Sequence, residues 1–250
     1  MAVHIKTREQ IEKMRIAGEI LAKLDEVLTK EIKPDVTTKQ LDSIAEKFIR
    51  SQGAIPSFKG YGGFPGSICT SVNDEIVHGI PSERKLKQGD IISIDMGSYI
   101  GGYHADAART YAVGEITPEL QKLIDVTKQS FFEGIQYAKQ GCHLNQIGVA
   151  IQKYVEQNGF SVVREYVGHG IGRKLHEDPS VANYKEQRKG ILLKKGMTLA
   201  IEPMVNMGSY QLKVLKDGWT AVTRDGLCAA HYENTVVITN GEPEILTLLP

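Results

Sequence analysis

Apolar residues recur at helical spacing from Ile11 through Met14, Ile16, Ile20, Leu21, Leu24 and Leu28, predicting a helix that opens at Thr7 and ends near Lys33-Pro34. A second helical stretch, capped at Thr38, carries Leu41, Ile44, Ala45, Phe48 and Ile49 to a stop at Gly53. Loop and strand segments then follow to Val113. The most apolar of them, Asp90 to Met96 (DIISIDM), reads as a strand buried on both faces. A β-hairpin turning about Ile100-Gly101 would set Asp95 directly opposite Asp106, where like charges repel. Such a pair calls for a cation, because a carboxylate in an apolar strand is costly unless paired, protonated or metal-bound.

The same order of elements returns after Gly114. Thr117-Pro118 opens a helix to about Ala138, and another runs from Asn145 to Gln157, closed by Asn158-Gly159. The segment LKQGDIISID, Leu86 to Asp95, matches LKKGMTLAIE, Leu193 to Glu202, with an acid six residues beyond each glycine. His78-Gly79-Ile80 likewise echoes His169-Gly170-Ile171. Thr7 to Thr117 is a step of 110 positions and Gly89 to Gly196 one of 107. A period this long does not suit a solenoid; it predicts two fused α+β halves, about 7–113 and 117–250, with a site between them.

The repeat brings together the candidate chemistry. Asp95, Asp106, His169, Glu202 and Glu233 all lie in or beside apolar stretches, which is the wrong place for solvated charge. Four carboxylates and one imidazole in one buried cluster require about two divalent cations, and an oxygen-rich set with one histidine favours manganese, iron(II), cobalt or zinc. Two metals about 4 Å apart can share a hydroxide and stabilise a developing oxyanion, which is the chemistry of hydrolysing an unactivated bond. A free α-amino group could complete such a site, giving an aminopeptidase. His78 and His176 lie in loops with Gly or Pro neighbours and could donate to a scissile carbonyl or shuttle a proton. His4, His104, His143 and His231 read as surface or packing residues.

Bulk composition narrows the class. Thirty acidic and thirty basic residues cancel, so the chain has no global charge for nucleic acid or an anionic membrane. Cys69, Cys142 and Cys228 are scattered, without CxxC spacing, which fits a reducing compartment and not a disulfide framework. The charged, amphipathic N-terminal stretch lacks the apolar core of a secretion signal, and no apolar run is long enough to cross a bilayer. A cytoplasmic protein is expected. Gly60–Gly66 lacks the Lys-Ser/Thr of a phosphate loop, Gly168-x-Gly170-x-Gly172 misplaces the third glycine of a dinucleotide fingerprint, and His176-Glu-Asp-Pro-Ser departs from HExxH.

The strings VNDEIVHGIP, GDIISIDMG, GYHADAARTY, GHGIGRKLHEDP, LAIEPM and HYENTVVIT, in this order, resemble the blocks of the methionine aminopeptidases along essentially the whole chain. The resemblance implies the pita-bread fold, two pseudo-symmetric α+β halves in a single catalytic domain over 1–250. It implies Asp95, Asp106, His169, Glu202 and Glu233 as ligands of two cations, with Asp106 and Glu233 bridging, and a metal-bridging hydroxide that attacks the scissile carbonyl. His78 and His176 would contact substrate, Glu202 would also move protons, and Tyr61, Phe64, Cys69 and Trp219 would line a methionine pocket. The reaction implied is removal of the initiator methionine from nascent chains whose next residue is small. The partners implied are those chain ends, with the ribosome a candidate contact, and a monomer is expected.

Leu175 stands where some bacterial members carry an aromatic, and Gly62 where a histidine can occur. Only 23 positions separate Pro179 from Glu202, with no long insertion, and neither a zinc-binding extension nor a transit peptide is expected ahead of the first helix, as in compact type I enzymes of bacteria. Two other readings are an Xaa-Pro aminopeptidase or prolidase of the same fold, usually longer at the N-terminus, and a non-catalytic pita-bread binding module, which would have lost ligands.

Overall fold

The computed structural model describes residues 3–249. The first part of the chain runs through α1 (Arg8–Glu31), α2 (Thr38–Ser51), β1 (Ile55–Pro56), β2 (Ile68–Val72), β3 (Glu75–Val77), β4 (Ile91–Ile100) and β5 (Tyr103–Ala112). The second runs through α3 (Pro118–Ile135), α4 (Asn145–Gln157), β6 (Ser161–Val162), β7 (Gly168–Gly170), β8 (Glu177–Val181) and β9 (Thr198–Ile201). It continues with β10 (Met204–Asn206), β11 (Leu212–Val214), β12 (Ala221–Thr223), β13 (Ala229–His231), β14 (Glu233–Val237) and β15 (Glu244–Ile245). No helix among the described residues is long and apolar enough to cross a membrane.

Local chemistry sets the helix ends. Thr7 caps α1 in a reciprocal capping box with Gln10, and Thr117 with Pro118 opens α3. The cap of α2 is Thr37, not Thr38: only Thr37 has a glutamine, Gln40, three residues on, and the two close a capping box. Thr38 instead exchanges hydrogen bonds with the backbone of Ser82. Ile16 is exposed, because the buried face of α1 follows Met14, Ala17, Leu21, Leu24 and Leu28.

A nine-stranded sheet has the order β1-β4-β5-β14-β9-β7-β8, with β2 also on β4 and β15 also on β14. Its centre is the antiparallel pair β5–β14, where the two parts of the chain meet. On one side α1 and α2 cover Ile68, Ile92, Ile94 and Met96; on the other α3 and α4 cover Leu199, Ile201 and Val236. Each part therefore buries its own apolar core. A third cluster containing Met14, Phe58, Phe64, Cys69, Ile171 and Leu175 spans both. The matched glycines before β4 and β9 hold nearly the same left-handed backbone, Gly89 at φ 89° and Gly196 at φ 87°, so each half uses the same turn to enter the strand that leads to its acid.

The hairpin differs from expectation by one position. Ile100 pairs with Tyr103, and Gly101 and Gly102 form a two-residue turn with φ of 59° and 85°, the backbone that a primed turn needs. Asp95 thus opposes Ala108, and Asp106 opposes Gly97. The two aspartates still share a face, as diagonal neighbours.

Gly18 gives a stability prediction. Helix propensity alone favours Ala by about 1 kcal/mol. A Cβ there would lie 2.1 Å from the carbonyl oxygen of Leu246, however, where α1 docks on the C-terminal segment. Gly18→Ala is expected to destabilise the fold by about 1–3 kcal/mol in denaturant unfolding; an unchanged midpoint would show that this contact can relax.

Candidate metal centre

The five predicted ligands converge. Asp95 lies within β4, Asp106 in β5, His169 in β7 and Glu233 at the start of β14, while Glu202 follows β9 directly. These strands are neighbours in the order β4-β5-β14-β9-β7, so all five side chains reach one cavity of about 200 Å³. His169 Nε2 is 3.8 Å from Asp106 Oδ2 and 3.6 Å from Glu202 Oε1. One ligand atom each from Asp106, His169 and Glu233 lies within 4.8 Å of the others.

Buried Asp95 Oδ1, Asp106 Oδ1 and Glu233 Oε1 have no hydrogen-bond partner. Orphaned carboxylate oxygens in an apolar sheet carry a large penalty, and a divalent cation removes it. His169 is oriented to help. Its Nδ1 faces the carbonyl oxygen of Gly170 at 2.8 Å, so Nδ1 holds the proton and Nε2 presents a lone pair to the acids. The residues therefore fit a cation-binding role.

Electrostatics point the same way. Burial pushes the Asp95 carboxyl up to about 7. Asp106, Glu202 and Glu233 are raised well above the usual carboxylate range, first by burial and then by one another's charge. Burial takes His169 down to about 3 and His78 to about 4, with a further contribution from His176, so both are neutral near pH 7. Neutral imidazoles can ligate or donate, and a bound cation would offset the burial cost that keeps these four acids from ionising.

The rest of the cavity is apolar and aromatic. Phe64 packs edge-on against Trp219, with ring centroids 5.2 Å apart, and Cys69 lies buried beside them. His78, at φ 61°, is one of three non-glycine residues with left-handed backbone among the described residues, a conformation that a protein retains where the surroundings fix it. Its ring meets Tyr166 and Trp219 edge-on. His176 Nδ1 is 2.7 Å from the hydroxyl of Tyr61, which engages that nitrogen and leaves Nε2 as the other donor or acceptor. Leu175 lines the cavity, and a side chain at Gly62 would crowd the Trp219 ring at 3.3 Å.

A model of metallopeptidase family M24 matches residues 12–240. The chain belongs to metallopeptidase family M24. Methionine aminopeptidase of Clostridium acetobutylicum is 57% identical to it over 245 residues, 98% of each chain. Among solved structures, methionine aminopeptidase from Rickettsia prowazekii superposes with a TM-score of 0.97 at 43% identity, covering 99% of this chain and 100% of that one. The Xaa-Pro dipeptidase from Bacillus anthracis is more distant, with a TM-score of 0.81 and 26% identity; the match spans 98% of this chain but 62% of that one.

Three features of this M24 site were not anticipated from sequence. Phe58 lines the cavity. Arg109 is buried behind Glu233, donating to the Glu233 carbonyl and to Asn234 Oδ1, and its charge opposes the upward shift of Glu233. His231, expected at the surface or in simple packing, is fully buried with Nε2 3.7 Å from Glu202 Oε2 and 3.9 Å from Glu233 Oε2. No local pattern signals it, because β13 ends at His231 and β14 begins at Glu233, so the two do not share a strand.

Proposed function

We propose that this M24 peptidase acts as a methionine aminopeptidase, removing the N-terminal methionine of nascent proteins when the second residue is small. The observation that carries this reading is the cluster of four acids and one imidazole opening onto a small pocket of aromatic and sulfur-bearing side chains. Asp95, Asp106, His169, Glu202 and Glu233 would hold two divalent cations, cobalt, manganese, iron(II) or zinc. When bound, the cations acidify water and polarise the scissile carbonyl.

The protein's own groups do the rest. Phe64, Trp219 and Cys69 receive the methionine side chain, whose flexible thioether suits aromatic and sulfur contacts. Tyr61 holds the His176 ring, so that Nε2 donates to the carbonyl oxygen as it gains charge, and His78 orients the peptide beside it. Glu202 carries the proton toward the leaving amine. The enzyme works as a single catalytic domain and a monomer in the cytoplasm, on chain ends emerging from the ribosome.

His176→Ala tests the division of labour. Its turnover of Met-Ala-Ser is expected to fall about 10²- to 10³-fold, with the metal content unchanged and Met-Lys-Ser refused by both proteins. Unchanged kinetics would reduce His176 to a structural residue, and equal cleavage of the two peptides would contradict selection for a small second residue.

A further inference from the structure

His231 stands out among the buried polar groups that the mechanism leaves unused. Its Nε2 is fully buried without a hydrogen-bond partner. Thr110 pins its backbone on both sides, accepting from the His231 amide and donating to its carbonyl. The side chain is thereby aimed at Glu202 and Glu233 and held there. His231 does not line the cavity that holds the five candidate ligands, and lies instead on a separate one with Arg109, Thr110 and Tyr232.

The Glu202 carboxylate lies between two imidazoles, one for each oxygen. Oε1 faces His169 at 3.6 Å and Oε2 faces His231 at 3.7 Å. A carboxylate that gives one oxygen to a metal leaves the other needing a donor, and such outer partners fix the orientation of the ligand. At 3.7 Å the nitrogen is just beyond hydrogen-bond reach, and a shift of about 0.8 Å closes the bond. An imidazole has at least one N–H to give.

We infer that His231 is a positioning residue of the metal centre, whose Nε2–H donates to Glu202 Oε2 and turns Oε1 toward the cavity. A direct ligand role fits less well, because the five proposed ligands line the cavity and His231 does not. The inference rests on the proposed cation-binding role of Glu202.

The test compares wild type, His231→Leu and His231→Gln, each stripped of metal and titrated calorimetrically with Co(II) alone. Leucine fills the space without a donor, whereas the glutamine amide reaches the place of Nε2. Co(II) affinity is expected to fall about 10- to 100-fold in His231→Leu and to recover most of the way in His231→Gln. Wild-type affinity in His231→Leu would overturn the inference alone, while absence of binding by wild type would overturn the underlying cation-binding reading. A long-range ¹H–¹⁵N spectrum of the Zn-loaded wild type supplies a readout that needs no variant. It is expected to show His231 protonated at Nε2; a proton on Nδ1 with Nε2 bare or metal-bound would overturn the inference.

Discussion

Asp106→Ala is expected to lose at least about 10³ in turnover of a methionyl peptide, the few kcal/mol that metal-assisted catalysis supplies, and to lose bound metal with it. The residue sits where the centre is most crowded. Its Oδ1 has no protein partner and its Oδ2 faces His169 at 3.8 Å, so both oxygens are available to cations. Its backbone is fixed independently, because Thr235 exchanges hydrogen bonds with both the amide and the carbonyl of Asp106. Removing the carboxylate should therefore spare the fold. The same substitution removes one of four buried carboxyls, so the metal-free variant is expected to melt no lower than metal-free wild type, while wild type alone gains stability on adding Co(II). A variant with full activity would remove Asp106 from the mechanism.

The metal-free protein is expected to lose stability as the pH rises from about 4 to 7. Asp95 titrates at about 7 in the folded chain, against an ordinary carboxylate value of 3.8. Below the unfolded value both states are protonated, and the native state carries no penalty. Between the two values the folded protein keeps a proton that the unfolded chain has released, so stability falls until the folded group ionises. Asp106, Glu202 and Glu233 are raised as well, so all four coupled acids act in the same direction. Urea unfolding across this range, with chelator and then with Co(II), checks the sign. Metal should remove most of the slope; stability that rises with pH in chelator would show that the acids are not desolvated as described.

Much of the candidate site was legible because its five candidate ligands are marked in local sequence. Each of the five stands in or beside an apolar strand, and the repeat of a turn glycine followed six residues later by an acid marked Asp95 and Glu202 as counterparts. Finer geometry was not. The exact register of the hairpin depended on both Gly101 and Gly102 taking left-handed backbone, which moved its centre and made Asp95 and Asp106 diagonal neighbours. Thr37 and Thr38 are both competent caps by residue type, and the position of Gln40 decides between them. His231 and Phe58 gain their surroundings only from tertiary contact: β13 pairs with β10, setting His231 opposite Met204 just beyond Glu202, a proximity that no local pattern states.

The most direct measurement is hydrolysis of Met-Ala-Ser and Ala-Pro-Ser by metal-stripped protein, with Mn(II), Fe(II), Co(II) and Zn(II) added back in turn. This mechanism predicts no turnover without metal, and release of methionine from Met-Ala-Ser with at least one of them, while Ala-Pro-Ser stays intact. Cleavage of Ala-Pro-Ser in preference, or no cleavage of Met-Ala-Ser with any of the four metals, would contradict it.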